Sequence, residues 1–283
     1  SRRASCRERV ELSVVAGSLK KRFFISTILE ADFKTDIIEE VIKKADFEIG
    51  LEYFTFDMTS KSQRKLRKIR RKFPNAKNTF HSPMVDMEST SKKGTEDYKK
   101  LIGNWENTIK IAQEFKSSHI VFHSNNCFIN EEERKERQKN CVSNTIYLDK
   151  LCKEHGVTLL VETLGIPEKG LPLFTEEEFI EFINKYDLSV IVDIGHMNLN
   201  GYNYVNVLKN VGKNVKAYHL HNNDGKNDTH NRINDGTFDL NVFAFCYKKY
   251  TPNADLVIEY IEIPGLTADL LLEDLKLLIE ITK

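Results

Sequence analysis

The sequence predicts an α/β fold, a single closed (β/α)8 barrel, from two observations. Short runs rich in β-branched and aromatic residues alternate with longer segments of helical periodicity along the chain, which indicates parallel strands. No Pro- or Ser-rich linker interrupts the alternation, so we expect one domain over residues 21–283. In such barrels the active site lies at the C-terminal ends of the strands, where the βα loops form a mouth.

The individual elements follow from these runs. The predicted strands are RFFISTIL (22–29), FEIGLEYF (47–54), NTFHSPM (78–84), HIVFHSN (119–125), TLLVETL (158–164), LSVIVDIGH (188–196), VKAYHLHN (215–222) and LVIEYI (256–261). Amphipathic segments between them predict helices, among them DIIEEVIKKA (36–45), EDYKKLIGNWENTIKIAQEF (96–115), TEEEFIEFINKY (175–186) and LTADLLLEDLKLLIEI (266–281).

The composition is that of an ordinary globular protein. Of 283 residues, 40% are hydrophobic and 30% are charged. Lys+Arg and Asp+Glu both number 42, so no net charge attracts nucleic acid or an anionic membrane. The basic run at 60–73 carries Leu66, Ile69 and Phe73 at helical spacing, which favours the solvated face of a helix over a DNA-binding surface. No apolar run reaches the roughly 18 residues of a membrane span.

The cysteines and the start of the chain indicate a cytoplasmic protein. Residues 1–20 are basic but lack the continuous apolar core and cleavage site of a secretory signal, and we expect them to be an added leader ahead of a natural start near Lys20. The cysteines are odd in number and show no CxxC spacing, so we expect reduced thiols. They are Cys6, Cys127, Cys141, Cys152 and Cys246.

Residues that commonly bind metals stand at the ends of six consecutive predicted strands. In chain order they are His81, His123, Glu162, Asp193 with His196 just beyond it, His219 and His221 followed by Asp228 and His230, and Glu259. A single histidine at a strand end is more often a hydrogen-bonded structural residue than a ligand. The set differs, because three carboxylates buried in one barrel mouth need a cation or a proton to neutralise them. The sequence therefore predicts a divalent metal site.

Three further residues receive a structural interpretation. His155 ends the fourth helix before Gly156, where a C-terminal capping role suffices. His119 begins its strand at the opposite end of the barrel. Glu52, in the second strand, is expected to be a buried salt-bridge partner rather than a substrate contact.

Six short motifs carry a resemblance to a known family. They are FHSP (80–83), VFHS (121–124), VETLG (161–165), VDIGHMN (192–198), HLHNNDGKNDTH (219–230) and VIEY (257–260). From about residue 22 to its end the chain resembles the xylose isomerase-like TIM-barrel superfamily, in which these motifs occur in this order. That superfamily includes sugar isomerases, sugar phosphate isomerase/epimerase members and endonuclease IV-type apurinic endonucleases.

The resemblance implies two sets of ligands. In sugar-handling members one divalent cation is held by two glutamates, an aspartate and a histidine, which fall here on Glu162, Asp193, His219 and Glu259. In the endonuclease members three zinc ions are held by a larger set, which adds His81, His123, His196, Asp228 and His230. The phrase HLHNNDG is similar to the sugar phosphate isomerase/epimerase members.

We predict a divalent-metal-dependent sugar or sugar phosphate isomerase/epimerase that removes a proton next to a carbonyl through a metal-stabilised enediolate. Glu162 and Glu259 would act as base and acid, and His196 and His221 would bind substrate hydroxyls. The cation would be manganese, zinc, cobalt or magnesium, with no organic cofactor. We also expect a homo-oligomer.

The alternative is an apurinic/apyrimidinic endonuclease with a multinuclear zinc site. The predicted βα loops are acidic, which opposes a polyanion, so we expect a small sugar substrate rather than nucleic acid. Lys226 and Arg232 are the candidate phosphate-binding residues, although solvated loop charges explain them equally well. A metal-dependent dehydratase or oxo-acid isomerase is a further alternative, whereas an intact acid–base set disfavours a catalytically silent binding protein.

Overall fold

A computed structural model of the chain describes residues 22–163 and 165–283. Within those ranges all eight predicted strands are present, parallel to their neighbours in one closed barrel that β1 and β8 complete. Their bounds are β1 Phe23–Ser26, β2 Ile49–Tyr53, β3 Asn78–His81, β4 His119–Phe122, β5 Thr158–Glu162, β6 Val190–Asp193, β7 Val215–Leu220 and β8 Asp255–Ile258. The predicted (β/α)8 barrel is confirmed.

Helices pack around the barrel between the strands. In the described part of the chain they are α1 Asp36–Lys44, α2 Ser60–Lys72, α3 Glu96–Glu114, α4 Glu131–Glu154, α5 Glu176–Tyr186, α6 Ile194–Leu199, α7 Tyr204–Val211, α8 Leu240–Tyr250 and α9 Ala268–Ile281. The amphipathic segments quoted from the sequence correspond to α1, α3, α5 and α9, and the basic run to α2. In α2, Leu66 and Ile69 are buried, while Arg67 pairs at 2.8 Å with Glu114 of α3 on the outside. The run is thus the outer face of a barrel helix.

On the side of β4 to β7 the interior of the barrel is apolar below its mouth. Val121, Leu160, Ile191 and Ala217 form a separate buried cluster, one residue from each of β4 to β7. Because side chains alternate along a strand, the residues two positions further on, such as Glu162 and Asp193, point to the same interior one layer higher. The apolar layer therefore forms the floor beneath the polar mouth.

The structure corrects the extent of the sixth strand. The sequence predicted a strand to His196, but β6 ends at Asp193 and α6 begins at Ile194. The Asp193 carboxylate accepts a hydrogen bond from the His196 backbone N–H at 2.7 Å and so caps α6. His196 consequently lies on the first turn of a helix rather than at a strand end.

The described cysteines and His155 lie outside the barrel strands. Cys127, Cys141, Cys152 and Cys246 are free thiols, whereas Cys6 and the expected leader, 1–20, lie outside the described residues. His155 caps α4 as expected. No helix in the ranges 22–163 and 165–283 combines the length and the apolar composition that crossing a membrane requires.

Candidate metal centre

All ten predicted ligand residues meet at the C-terminal mouth of the barrel, where they form three groups. In each group the candidate ligand atoms lie within 4.8 Å of one another. The central group is Glu162, Asp193, His219 and Glu259, the second is His81, His123 and Glu162, and the third is His196, His221, Asp228 and His230.

The central group surrounds the Nδ1 atom of His219. Glu162 Oε1 lies 3.1 Å from this nitrogen, Glu259 Oε2 3.3 Å and Asp193 Oδ2 3.7 Å. All four side chains are at most 5% exposed. Three carboxylates therefore converge on one point in a place that water reaches poorly.

Glu162 belongs to two groups at once. Its Oε1 faces His219, whereas its Oε2 lies 2.6 Å from His123 Nε2 and 3.9 Å from His81 Nε2. The two histidine nitrogens are 3.0 Å apart. A carboxylate whose two oxygens face different ligand groups has the arrangement of a bridging ligand.

The third group lies on the other side of Asp193. Asp228 Oδ2 is 3.4 Å from His196 Nε2 and 3.3 Å from His230 Nε2. The rings of His221 and His230 stack with centroids 3.7 Å apart. Gly195 makes room for this arrangement, because a Cβ atom there would lie 2.0 Å from His221 Cε1.

Each of the six histidines turns one ring nitrogen to an acceptor outside its group and the other into its group. Histidines that bind metals are held in this way, because the outer hydrogen bond fixes the tautomer and the ring orientation. The outer acceptors are Ser82 O for His81, Asn126 Oδ1 for His123, Thr163 O for His196, the Glu52 carboxylate for His219, the Asp193 carboxylate for His221 and Glu259 O for His230.

Glu52 contacts the central group, and the sequence did not predict that it orients His219 there. Its side chain is fully buried and its oxygens lie 3.1 and 3.2 Å from His219 Nε2. It is a buried ionic partner, as expected, and it also orients a residue of the central group. The alternation of side chains along β2 could have indicated this role, because Glu52 lies two positions after Gly50 and so points to the same barrel interior.

Protons stabilise the groups when no cation is bound. Burial raises the pKa of Glu259 to about 8, against the opposing effects of His219 and His230. Burial lowers the pKa of His230, but the hydrogen bond to Asp228 and the charge of Glu259 outweigh it and raise the value to about 9. Burial would also raise the pKa of Glu162, yet the neighbouring histidines hold it well below its usual value.

The donor set fits divalent cations. Among the described residues, the buried atoms His221 Nδ1 and Asp228 Oδ1 have no hydrogen-bond partner, and both belong to the third group. Buried polar atoms are normally paired or bound to metal. Imidazole-rich groups suit zinc, and the carboxylate-rich central group suits manganese, magnesium or zinc.

A cavity of about 330 Å³ opens above the groups. Its size is that of a pocket for a small molecule. Seven of the predicted residues line it, whereas Asp193, His219 and His221 lie beneath. Those seven are His81, His123, Glu162, His196, Asp228, His230 and Glu259. His221, fully buried and bonded to Asp193, is therefore poorly placed for the predicted contact with a substrate hydroxyl.

The two candidate phosphate-binding residues do not line this cavity. Arg232 forms two 2.8 Å hydrogen bonds with Asp274 of α9 and one with Leu270 O. Lys226 lies on the exposed loop after β7, where its backbone N–H donates to Asp224. This placement favours a structural role for Arg232. It also favours the interpretation of Lys226 as a charged side chain on a solvated loop.

The site is a largely buried set of candidate metal ligands at the mouth of a (β/α)8 barrel, and the comparisons give the family of the chain. The sequence profile of the xylose isomerase-like TIM barrel family matches residues 39–280. The chain belongs to that family, which confirms the resemblance seen in the motifs. It is also 27% identical over 184 residues to an uncharacterized protein of Methanocaldococcus jannaschii, covering 65% of this chain and 70% of that one.

Solved structures share the fold over almost the whole chain. A D-tagatose 3-epimerase-like protein is 21% identical, with a TM-score of 0.72 and coverage of 92% of this chain and 96% of that chain. The IOLI protein with a binding zinc atom is 15% identical, with a TM-score of 0.73 and coverage of 92% and 98%. D-allulose 3-epimerase from Methylomonas sp. in complex with D-allulose is 13% identical, with a TM-score of 0.70 and coverage of 92% and 98%.

Proposed function

We propose that the protein is a metal-dependent isomerase or epimerase of sugars. The observation that carries this proposal is the pair Glu162 and Glu259, whose carboxylates enter one ligand group from β5 and β8, three strands apart around the barrel. Both line the cavity where a small molecule would sit. Two carboxylates at different sides of one bound carbon can remove a proton and return one.

The central group would hold the cation that this chemistry needs. Glu162, Asp193, His219 and Glu259 would be its ligands, and the cation would polarise the substrate carbonyl and offset the negative charge that develops on its oxygen. Glu52 would keep His219 in the tautomer that presents Nδ1 to the group.

The protein's own residues account for the proton transfers. In an epimerisation, one carboxylate takes the proton from one face of the carbon and the other returns a proton to the opposite face. In an isomerisation, the proton moves between neighbouring carbons. His196 lines the cavity beside Glu162 and is placed to contact a substrate hydroxyl. The buried floor restricts water, which limits loss of the proton to solvent.

The structural relatives support this proposal. The D-tagatose 3-epimerase-like protein and D-allulose 3-epimerase share the fold, and the second was solved with D-allulose bound. The zinc atom of the IOLI protein supports a metal on this scaffold. Manganese, cobalt, magnesium and zinc remain the cations to test.

Deuterium exchange tests the proposal directly. The metal-loaded protein is incubated in D2O with a panel of keto-sugars, and proton NMR follows exchange of carbon-bound hydrogen. We expect metal-dependent exchange that falls at least about 100-fold in Glu162→Gln and Glu259→Gln. Metal content is measured in each variant, because both residues are also ligands. Glu262→Gln, another carboxylate of the cavity lining, is the control. Absence of exchange with every sugar in a metal-loaded protein would reject the isomerase.

A second candidate function is phosphodiester hydrolysis at a multinuclear centre. Three ligand groups and the two-sided position of Glu162 favour it, because they provide for more than the single cation an isomerase needs. Multinuclear centres activate water and stabilise the leaving oxygen in phosphoryl transfer. The lining of the cavity opposes a polyanion, since it contains no Lys or Arg among the described residues.

Elemental analysis separates the two candidates. We expect about one manganese, cobalt or magnesium per chain for the isomerase, and near three zinc ions per chain for the hydrolase. A cleavage assay on an oligonucleotide with an abasic site then tests the second candidate. Cleavage that depends on zinc, together with absent deuterium exchange, would make hydrolysis the function.

A further inference from the structure

One wall of the cavity is apolar. It is formed by the loops after β1, β2, β3, β5 and β8. Its residues are Ile28, Phe33, Phe54, Phe56, Met84, Ile166 and Ile261. We call this set the apolar wall.

The apolar wall extends from a ligand group to the outside of the mouth. The Phe54 ring lies 5.3 Å from the His81 ring and 4.9 Å from the Phe56 ring, edge to face in both cases. The loop after β3 fixes Phe56, because Met84 N–H and Val85 N–H both donate to Phe56 O, at 3.1 and 2.9 Å. A molecule bound at the groups would therefore meet aromatic surface along its whole length.

The outer end of the wall is open to solvent. Phe56 is 63% exposed and Val85, beside it, is 52% exposed. Large apolar side chains left in water at the edge of a binding site mark a surface that a ligand covers. A monosaccharide ring held at the groups would leave this outer end bare, whereas a substituent on it would reach Phe56.

The carboxylates of the cavity lining disfavour an anionic substituent. Glu30, Asp32 and Glu262 line the cavity in addition to the ligand carboxylates, and no Lys or Arg of the described residues does. The N-terminus of α1, which could otherwise bind a phosphate, is already taken, because the Glu30 carboxylate accepts hydrogen bonds from Asp36 N–H and Ile37 N–H. A phosphate here would meet these carboxylates and, among the described residues, no Lys or Arg of the cavity lining.

We propose that the substrate is an unphosphorylated sugar that keeps a ketone for the proposed proton transfer and carries an uncharged, apolar substituent, as an alkyl or aryl glycoside with a ketone at a ring carbon does. This inference rests on the proposed sugar chemistry at the same site and specifies its substrate class. The groups hold the sugar unit, and the apolar wall holds the substituent, which packs against Phe54 and Phe56.

Calorimetric titration of the metal-loaded protein tests the inference with three probes: phenyl β-D-glucoside, D-glucose and D-glucose 6-phosphate. We expect the phenyl glucoside to bind about tenfold more tightly than glucose, because its phenyl ring is removed from water when it packs against the apolar wall. Phe56→Ser should remove most of that difference and leave the Kd of glucose unchanged. Phe245→Ser is the matched control, since Phe245 is 56% exposed on α8 outside the mouth.

A second variant tests the charge argument. Glu262→Lys should raise the affinity for D-glucose 6-phosphate relative to the unmodified protein, because it places a cation at the rim. Three results would each overturn the inference: equal affinity for phenyl glucoside and glucose, tighter binding of glucose 6-phosphate than of phenyl glucoside, or no effect of Phe56→Ser.

The two proposals fail in different ways. Deuterium exchange that is fastest with a phosphorylated keto-sugar would keep the isomerase and overturn the apolar substituent. Tight binding of phenyl glucoside through Phe56, with no exchange in any keto-sugar, would support the apolar substituent and reject the isomerase.

Discussion

The ring of His219 is held from both sides. Its Nε2 faces the Glu52 carboxylate at 3.1 Å, and its Nδ1 faces the three carboxylates of the central group. If Glu52 were neutral, Nε2–H would lose its charged acceptor and the ring would be less basic and less well fixed. A residue outside the candidate ligands thus controls the central group.

Glu52→Gln should therefore weaken cation binding while the fold is kept. We expect a loss of about 10–100-fold in metal affinity, the usual effect of removing such an outer partner. Competition with a chromophoric chelator measures it. Glu48→Gln, an exposed position just before β2, is the control and should have no effect. An unchanged metal affinity in Glu52→Gln would show that Glu52 serves packing alone.

At the residue scale the sequence predicts which side chains reach the mouth of the barrel, but not which of the three ligand groups each side chain joins. The period of two places Glu162, like His81 and His123, on the inward face at a strand end. Which ring nitrogen of each histidine enters a group depends on acceptors such as Ser82 O and Thr163 O. Those acceptors come from backbone geometry, which residue spacing does not specify.

Helix α6 places His196 and leaves space for His221. The space exists only because position 195 is glycine, where an added Cβ atom would lie 2.0 Å from His221 Cε1. Gly195→Ala should displace His221 and lower the metal affinity of the third group at least about tenfold, with the other groups retained. Metal content per chain, measured after dialysis against a weak chelator, reports the loss.

Gly103→Ala is the matched control for this substitution. Gly103 lies within α3, and no atom lies within 4 Å of an added Cβ there. Because alanine favours the helix, this variant should gain about 0.5–1 kcal/mol in the free energy of unfolding and keep its metal content. Full metal content in both variants would mean that the third group tolerates movement of His221.

Arg232 ties the loop after β7 to α9. Its guanidinium bonds both oxygens of Asp274, whose side chain is 1% exposed and also accepts from Tyr260 OH at 2.9 Å. Arg232→Met should leave this carboxylate without its cation and lower the free energy of unfolding by about 2 kcal/mol. Urea denaturation measures the change.

The same variant decides between the two interpretations of Arg232. With a structural role, Arg232→Met leaves the Kd of inorganic phosphate unchanged, and Lys226→Met changes neither phosphate binding nor stability. Weaker phosphate binding in Arg232→Met with unaltered stability would restore the phosphate-binding interpretation.

At the element scale the strands were predictable because buried parallel strands are short β-branched runs. Helix α6 was not, because IGHMNL follows β6 with no intervening Gly–Pro or polar turn signal. Its single indication was Asp193, an aspartate at a helix N-cap, and that residue had been assigned to the metal. In the structure the Asp193 carboxylate caps α6 and also lies in the central ligand group.

The charge of the whole mouth makes the stability of the metal-free protein depend on pH. The pKa values of Glu259, about 8, and His230, about 9, lie above the ordinary values of 4.5 and 6.5. Between pH 6.5 and 8 the folded protein therefore keeps protons that the unfolded chain has released. Stability contributed by these protons is present at the lower pH and is lost as the pH rises.

We expect the melting temperature of the chelator-treated protein to fall as the pH rises from 6.5 to 9. Each 1 kcal/mol lost corresponds to about 2–4 °C in a chain of this size. The manganese-loaded protein should melt higher and show no such fall, because the cation replaces the protons. Scanning fluorimetry measures both series. A melting temperature of the metal-free protein that increases over this range would contradict the assigned protonation.

The two-sided position of Glu162 would couple cation binding at the central group to cation binding at the second group. Its Oε1 and Oε2 belong to one rigid carboxylate, so a cation that settles on one oxygen fixes the direction in which the other is offered. The central and second groups cannot then fill as independent sites, and a metal titration should depart from a simple sum of separate binding curves. A substitution that weakens cation binding at the second group should also weaken it at the central group, although the two groups share no other side chain.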